Sequence, residues 1–276
     1  MTASLLVAGL DPGTALGSCL DDAVRVDDVA ALDRAAGTGS GPVGIVVGGA
    51  GDTVALARAA LERGVPVLVE AVGRMPVDAL AELGAAPHAY AGLRRRFESD
   101  ARWARGRLAA GGVGLTWSVH AEALASRAPD ALTEALDLLD AVSLLTGCAV
   151  VDAERFDRGR GAPATWVLAL EHGTTGQLVV RLADRRSRRR PQPELAAIRA
   201  LASHGLVAAD LDGPLQRIHG RRGPGWEHVG RDGAHRLLAA FRDVVAGVAG
   251  PTPVTLGALA GMRRLLDGPT RRMTTR

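Results

Sequence analysis

The sequence contains no lysine and no asparagine, so all 33 residues counted as Lys or Arg are arginine. The absence of lysine excludes chemistry in which a lysine of this chain forms a Schiff base with a carbonyl substrate or with pyridoxal phosphate. Isoleucine, phenylalanine and tyrosine are also scarce, which is the pattern expected of a GC-rich genome. The low aromatic content and the many arginines therefore carry no functional information by themselves.

Cysteines and long apolar runs are few as well. The two cysteines, Cys19 and Cys148, lie far apart without CxxC or Cys/His clustering, so neither a disulfide framework nor a metal site is expected. No apolar run approaches the roughly 18 residues of a membrane span, and the start, MTASLLVAGLDPG, lacks the basic region and cleavage site of a signal peptide. We therefore expect a cytoplasmic protein without a membrane partner.

The charge of the chain is mildly basic. The formal net charge is +3 and the pI is 9.6. One dense basic cluster, Arg185–Arg190 (RRSRRR), precedes two prolines and is typical of an exposed loop. Because no aromatic side chains interleave with it and no recognition fold accompanies it, a nucleic-acid partner is not expected.

Residues 41–73 have the strongest structural pattern. Val43–Val47 is a short β-branched run, a helix is predicted from Asp52 or Thr53 to Arg63, and Val65–Val69 is a second buried strand. This arrangement predicts a right-handed parallel βαβ unit. The second strand ends at Glu70, on the carboxyl edge where such sheets bind ligands.

The pattern changes in the second half of the chain. It predicts a strand at Val113–His120, a helix at Asp130–Leu145, and a β-hairpin formed by Ala164–Glu171 and Gln177–Ala183. The predicted fold class is α/β. A truncated Rossmann-like parallel sheet domain (residues 1–88) is followed by an α+β domain with an open-faced, mostly antiparallel sheet (residues 89–276). A ligand cleft is expected between two such domains.

Several blocks carry a resemblance to one family: VGIVVGGAGDTVALARAALERGVPVLVEAV, then ALTEALDLLDAVSLLTG, then LALEHGTTGQLVVRL, then LLAAFRDVVAG. In this order they resemble the glucose-fructose oxidoreductase, inositol dehydrogenase and rhizopine-catabolism (Gfo/Idh/MocA) family, of which the chain looks like a divergent, N-terminally truncated member. The resemblance implies NAD(P)-dependent oxidation of sugars or cyclitols by a Rossmann domain. It also implies an open-faced sheet that often forms dimer contacts.

The dinucleotide fingerprint expected of that family is absent. A Rossmann site needs GxGxxG between the first strand and a helix, so that backbone N–H groups meet the pyrophosphate. SLLVAGLDPG instead resembles the second strand and the acid that follows it, as though the first strand and helix were missing. A rival alignment makes Gly9, Gly13 and Gly17 a distorted glycine loop, but Pro12 lies inside it.

Two further signatures of the family are altered. The Glu-Lys-Pro segment is replaced by Glu70-Ala71-Val72, and the His-x-x-Asp pair is replaced by Asp137 and Asp140. Carboxylates three residues apart share one face of a helix, and the family register directs that face into the cleft. A carboxylate can replace imidazole as a general base when burial raises its pKa. The alternative is that these are solvated carboxylates paired with arginines.

The other candidate site residues have weaker support. His120, at the predicted end of its strand, is a candidate catalytic residue beside Asp137, Asp140 and Glu70. Candidate substrate-binding residues are Arg94, Arg95, Tyr90 and His172. For each of these, a structural or surface role is the alternative.

Together these features predict a divergent enzyme that acts on a sugar-like or specialised metabolite by acid/base, non-redox chemistry, such as a lyase, isomerase or cyclase reaction. Neither a cofactor nor a metal is expected. One alternative is an NAD(P)-dependent oxidoreductase with an atypical cofactor site. Another is a catalytically silent subunit that pairs with an intact family member. Homodimers or hetero-oligomers are expected to form through the C-terminal sheet.

Overall fold

The computed structural model describes residues 3–11, 14–20, 23–38, 41–48, 52–125, 130–157, 164–182, 196–211, 215–220, 223–228, 232–268 and 270–272. The basic cluster Arg185–Arg190 lies outside them. The chain divides into two compact units, the first formed by Met1–Arg94 and Ala234–Gly261, the second by Arg95–Gly233 and Met262–Arg276. Within the described residues, no helix is long and apolar enough to cross a membrane.

The first unit contains a five-stranded sheet in which all neighbouring strands are parallel. The strand order is β2-β1-β3-β4-β5. The strands are short and mostly buried, as is usual for parallel sheets covered on both faces. Their bounds are Ser4–Ala8 (β1), Val24–Arg25 (β2), Val43–Val47 (β3), Val67–Val69 (β4) and Ala89–Ala91 (β5).

Helices from both ends of the chain pack in this unit. Phe241 is fully buried, and a Cβ added to Gly44 in β3 would lie 3.1 Å from its ring, so the absence of a side chain at Gly44 admits the helix that carries Phe241. The same ring contacts Tyr90 edge to face, with centroids 6.1 Å apart. The helices are Val29–Thr38 (α1), Asp52–Glu62 (α2), Val77–Gly84 (α3), Gly233–Val245 (α6) and Leu256–Leu266 (α7), of which α7 continues into the second unit.

The βαβ unit predicted over residues 41–73 is confirmed. β3 has the predicted bounds, α2 begins at the predicted cap, and β4 pairs with β3 in parallel. Gly64 follows the helix with φ +72°, the left-handed conformation that commonly ends a helix.

The second unit contains a nine-stranded sheet in the order β13-β12-β11-β10-β6-β9-β8-β7-β14. Only β6/β9 and β7/β14 are parallel pairs, so the prediction of a mostly antiparallel sheet is confirmed. The predicted hairpin is also confirmed as β8 and β9. The strands are Thr116–Ala125 (β6), Val150–Asp157 (β7), Ala164–Leu170 (β8), Thr175–Leu182 (β9), Ala196–Ala202 (β10), Gly205–Asp210 (β11), Leu215–Gly220 (β12), Gly223–His228 (β13) and Thr270–Arg272 (β14).

Two helices, Ser99–Ala109 (α4) and Ala131–Thr146 (α5), cover one face of this sheet. α5 packs on β6 and β9, and α4 packs beside it on β11. Along β6, Val119, Ala121 and Ala123 are buried, whereas His120 and Glu122 on the other face are partly exposed. The alternation defines a covered face and an open face, and the open face is that of His120 and Glu122.

The expected domain boundary between residues 88 and 89 differs from the observed division. Residues 89–91 form β5, which hydrogen-bonds to β4 and therefore belongs to the first unit. The segment Ala234–Gly261 returns to that unit, where the Ala91 N–H donates to the Val254 carbonyl at 2.7 Å. Pairing between segments distant in sequence, rather than a local change of pattern, sets this boundary.

Candidate functional site

The strand order identifies the ligand-binding edge of the first unit. β2 lies on one side of β1, whereas β3, β4 and β5 follow one another on the other side. The strand order therefore reverses between β1 and β3. Ligands of such sheets bind outside the carboxyl ends of the strands at this point. β1 therefore occupies the central, first-strand position. The interpretation of SLLVAGLDPG as a second strand was wrong, because a strand's neighbours are not encoded in its own residues.

The Rossmann-like domain is shortened after β1 and not before it. A full-length crossover helix would present its N-terminus to a pyrophosphate at this point. Here the described part of the connection between β1 and β2 holds a single 3₁₀ turn, Gly17–Cys19. The first long helix, α1, comes only after β2.

The ends of β1 and β3 touch at this edge. Gly9 follows β1 with φ +60°, and a Cβ added to Gly48 would lie 2.2 Å from the Gly9 carbonyl oxygen. The Thr53 hydroxyl donates to the Gly48 carbonyl, and its methyl group lies against Gly9. Backbone and a threonine side chain thus occupy the position where a glycine loop would cradle phosphate.

Leu16 covers the adjacent strand ends. Its side chain is 2% exposed, and a Cβ added to Gly92 after β5 would lie 3.2 Å from Leu16 Cδ1. An apolar side chain from the chain itself therefore packs at the carboxyl edge near β4 and β5.

Glu70 follows β4 at the same edge. Burial raises the pKa of Glu70; the nearby Thr14 hydroxyl, the Arg74 charge and the Leu16 backbone oppose the rise, whereas the Asp11 charge adds to it. The Thr14 hydroxyl itself donates to the Asp11 carbonyl at 2.9 Å. Glu70 therefore lies beside the segment that follows β1.

These residues do not fit a dinucleotide in the conventional way. The described part of the β1–β2 connection offers a 3₁₀ turn in place of a helix, and the edge is lined by Leu16 and by touching backbone. Among the described residues, no group of three or more His, Cys, Asp or Glu side chains is placed to hold a metal ion.

Asp137 lies in a buried ion-pair network of the second unit. Its Oδ1 accepts the backbone N–H of Arg95 at 3.0 Å, and Arg95 Nε lies 3.7 Å from its Oδ2. The Arg95 Nη2 donates to Glu134 Oε2 at 2.5 Å. Because Arg95 is 1% exposed and engaged by two carboxylates, it is an internal cation. In this structure its guanidinium is directed to these carboxylates and not to solvent.

Asp140 has a different environment on the same helix. It is 3% exposed, and its Oδ2 lies 3.5 Å from Arg96 Nε but has no hydrogen-bond partner among the described residues. Burial raises the pKa of Asp140 to about 6, and the Arg96 charge opposes part of this rise. A buried carboxyl group with one oxygen that lacks a hydrogen bond and a pKa raised toward neutrality has the properties of a general acid or base.

His120 lies away from these carboxylates. β6 continues to Ala125, so His120 is in mid-strand and not at its predicted end. Its Nδ1 lies 3.1 Å from Gln177 Oε1 on the open face, whereas α5 packs on the covered face. The sheet itself separates His120 from Asp137 and Asp140.

The remaining candidates are spread over both units. In the first, Tyr90 is half-buried against Phe241, and Arg94 is partly exposed. In the second, His172 is exposed in the turn between β8 and β9 with φ +61°. Of these residues, His172 alone belongs to the same unit as α5.

Sequence reasoning overlooked two residues of this site. Glu134 extends the Asp137 and Asp140 spacing by three residues in the N-terminal direction, a signal present in the sequence. Arg96, which precedes Phe97 in the sequence, pairs through its guanidinium with Asp140. Nothing in the sequence indicates which of two consecutive arginines pairs with which carboxylate.

No protein-family model matches the chain, and no curated protein matches it by sequence. Solved structures match nearly all of it. An oxidoreductase from Pseudomonas syringae has a TM-score of 0.73 at 13% identity, over 96% of this chain and 94% of that one. An oxidoreductase from Agrobacterium radiobacter, solved with NAD+, L-tartaric acid and magnesium, has a TM-score of 0.67 at 13% identity, over 96% and 94%.

A third match is GnnA, the UDP-N-acetylglucosamine 3-dehydrogenase of Acidithiobacillus ferrooxidans. It has a TM-score of 0.68 at 18% identity, over 97% of this chain and 95% of that one. The chain therefore has the fold of oxidoreductases of the Gfo/Idh/MocA type, and the resemblance found in the sequence is confirmed at the level of the fold.

Proposed function

We propose that this chain is an enzyme that keeps the oxidoreductase fold but performs acid/base, non-redox chemistry on a small molecule, with Asp140 as the catalytic group. The observation that carries the proposal is the state of Asp140. It is buried, its Oδ2 lacks a hydrogen bond within the described residues, and its pKa is raised to about 6. Such a group costs stability and is retained at sites where it is used.

At neutral pH Asp140 is mainly ionised and acts as a base. Its raised pKa makes it a better proton acceptor than an ordinary aspartate. Arg96 lies 3.5 Å away with 26% of its side chain exposed, so it both holds the carboxylate in its ionised form and offers donors to a substrate. An enolisable C–H group next to a carbonyl group, as in ketoses and aldoses, suits this pair.

The test is solvent exchange, which needs no knowledge of the final product. The protein is incubated in D2O with a panel of ketoses, aldoses and uronates, and loss of C–H signals is followed by NMR. We expect exchange with at least one panel member, with a rate that rises through pH 6. In Arg96→Gln the midpoint should move to higher pH, because the Arg96 charge holds the pKa of Asp140 down. Wild-type protein without exchange on any member, or a midpoint unmoved in Arg96→Gln, would contradict the proposal.

A second part of the proposal is that nicotinamide cofactors are not bound in the conventional way. The Agrobacterium radiobacter oxidoreductase was solved with NAD+ and GnnA is named a dehydrogenase, so a lack of conventional binding would distinguish this chain from these two proteins of similar fold. Leu16, the 3₁₀ turn and the lysine-free sequence all support it.

Titration with NADH and NADPH checks this prediction. We expect no saturable change in nicotinamide fluorescence and no calorimetric signal up to millimolar concentration, for wild type and for Leu16→Ala alike. A relative with an intact fingerprint serves as the positive control. Micromolar binding by the wild-type chain would favour an oxidoreductase with an atypical cofactor site.

A silent subunit is the second candidate function. Its support is the buried network of Arg95, Glu134 and Asp137, because the position that carries histidine in the resembled family is here engaged in packing. Such a subunit would pair with an intact relative through the open face of the nine-stranded sheet. No exchange in isolation, with exchange or dehydrogenase activity restored on mixing with that relative, would favour it.

A further inference from the structure

A small pocket opens on the open face of the nine-stranded sheet, away from the carboxylates of α5. Its volume is about 300 Å³, at the lower end of the range for ligand pockets. Four strands line it, β6, β9, β10 and β11. Its floor is formed largely by alanines, including Ala197 and Ala208, with Leu124 beside them.

Strand register explains why a depression forms here. Ala197 of β10 is paired with Glu122 of β6 on one side and with Asp210 of β11 on the other. Ala208 is paired with Arg199. Large side chains on the outer positions and methyl groups on the inner ones leave a trough between them.

Glu122 holds two arginines at the wall of this pocket. Arg199 Nη1 donates to Glu122 Oε1 at 3.0 Å, and Arg181 Nη2 lies 3.5 Å from Glu122 Oε2. The two cations come from the strands on either side of β6. Asp210 of β11 adds a second carboxylate to the lining, so the two cations and the two carboxylates balance in charge, and recognition of an acid depends on the N–H donors of the two guanidinium groups.

Both guanidinium groups retain donors for a ligand. Arg181 and Arg199 are 63% and 48% exposed, and a guanidinium carries five N–H donors in a planar fork that matches a carboxylate. Within the described residues, Glu122 is the ion-pair partner found for each. Glu122 thus positions the two groups without saturating them.

We propose that this pocket binds a small organic acid, whose carboxylate meets Arg181 and Arg199 and whose short carbon chain lies over Ala197 and Ala208. The site is separate from Asp140, since α5 packs on the covered face of the sheet. It does not depend on the proposed catalytic function.

Calorimetric titration of the full chain with succinate, at low and at moderate salt, tests this site. Succinamide, its neutral analogue, is the control ligand. We expect saturable millimolar or tighter binding of succinate that weakens with salt, and none of succinamide. The variant Arg181→Gln/Arg199→Gln should bind at least tenfold more weakly. Arg58→Gln, which removes an exposed arginine of the first unit, should bind as wild type.

A second variant separates a built pocket from loose surface charge. Ala197→Leu keeps both arginines but fills the trough, so we expect it also to lose at least tenfold in affinity. Unchanged binding in Ala197→Leu or in the double arginine variant would overturn the proposal. The proposal also fails if light scattering shows a dimer that covers this face and succinate binds to neither the dimer nor the diluted monomer.

Discussion

Replacing Arg95 by methionine is expected to lower the free energy of unfolding by about 3–5 kcal/mol. Arg95 is 1% exposed and pairs with Glu134 and Asp137 through its guanidinium. Methionine fills a similar volume but leaves two carboxylates without their buried cation. Removing one partner of a buried ion pair costs far more than the pair contributes, because the remaining charge is not solvated. Urea denaturation followed by circular dichroism measures the change.

The matched control is Arg58→Met. Arg58 also forms an ion pair, with Glu82, but both side chains are about half exposed. Exposed pairs contribute little to stability, so this variant should remain close to wild type. Adding Glu134→Gln and Asp137→Asn to Arg95→Met should recover part of the loss, because no unpaired charge then remains. Similar losses for Arg95→Met and Arg58→Met would show that the buried network is not what stabilises this region.

The elements of the fold that were predicted correctly are those with local signals. β3, α2 and β4 are adjacent in sequence, with apolar runs, a cap and Gly64 marking their ends. The neighbours of β1 had no such signal. β2 is only two residues long. The position of β1 is set by its pairing with β2 and β3, which precede and follow α1 in the chain. Sequence therefore predicted the class of sheet but not where it was shortened.

The same distinction applies to the candidate site. The spacing of Asp137 and Asp140 predicted a shared helical face. Whether each carboxylate is paired, buried or free depends on Arg95 and Arg96, about 40 positions earlier in the chain. One alternative was that these carboxylates are solvated and paired with arginines. Asp137 is paired with an arginine, but it is buried and not solvated. Burial is a property of packing that helical spacing does not encode.

Asp140→Asn is expected to make the protein more stable above pH 6 and to lower the proposed proton exchange sharply. An ionised Asp140 is disfavoured in the folded chain, since burial raises its pKa from 3.8 to about 6, which corresponds to about 3 kcal/mol. The pKa of about 6 already includes the attraction to Arg96. Burying the asparagine amide offsets part of the gain, so we expect a net gain of about 1–3 kcal/mol at pH 8. Proton exchange on a substrate of the wild type should fall by about 10²-fold or more.

Measuring the stability of wild type and Asp140→Asn over a range of pH checks the sign of this difference separately. Below pH 3.8 Asp140 is protonated in both folded and unfolded chains, so wild type and Asp140→Asn should differ little. Between pH 3.8 and about 6 the folded wild type keeps a proton that the unfolded chain has lost, so its stability falls relative to the variant as pH rises. Above pH 6 the difference should be constant. Glu62→Gln, at an exposed position of α2, should differ from wild type by less than about 0.5 kcal/mol at every pH.

Higher stability together with lower activity in Asp140→Asn is the outcome that identifies a catalytic carboxylate. If Asp140 were purely structural, its replacement would make the protein less stable, and any loss of activity would follow from unfolding. If Asp140→Asn is instead destabilised at pH 8, the contact with Arg96 outweighs the cost of burial, and Asp140 belongs with Asp137 among the groups that hold α5 to the segment Arg95–Phe97. If it is stabilised and inactive, the fold retains an unfavourable buried charge at the position where the chemistry needs a base.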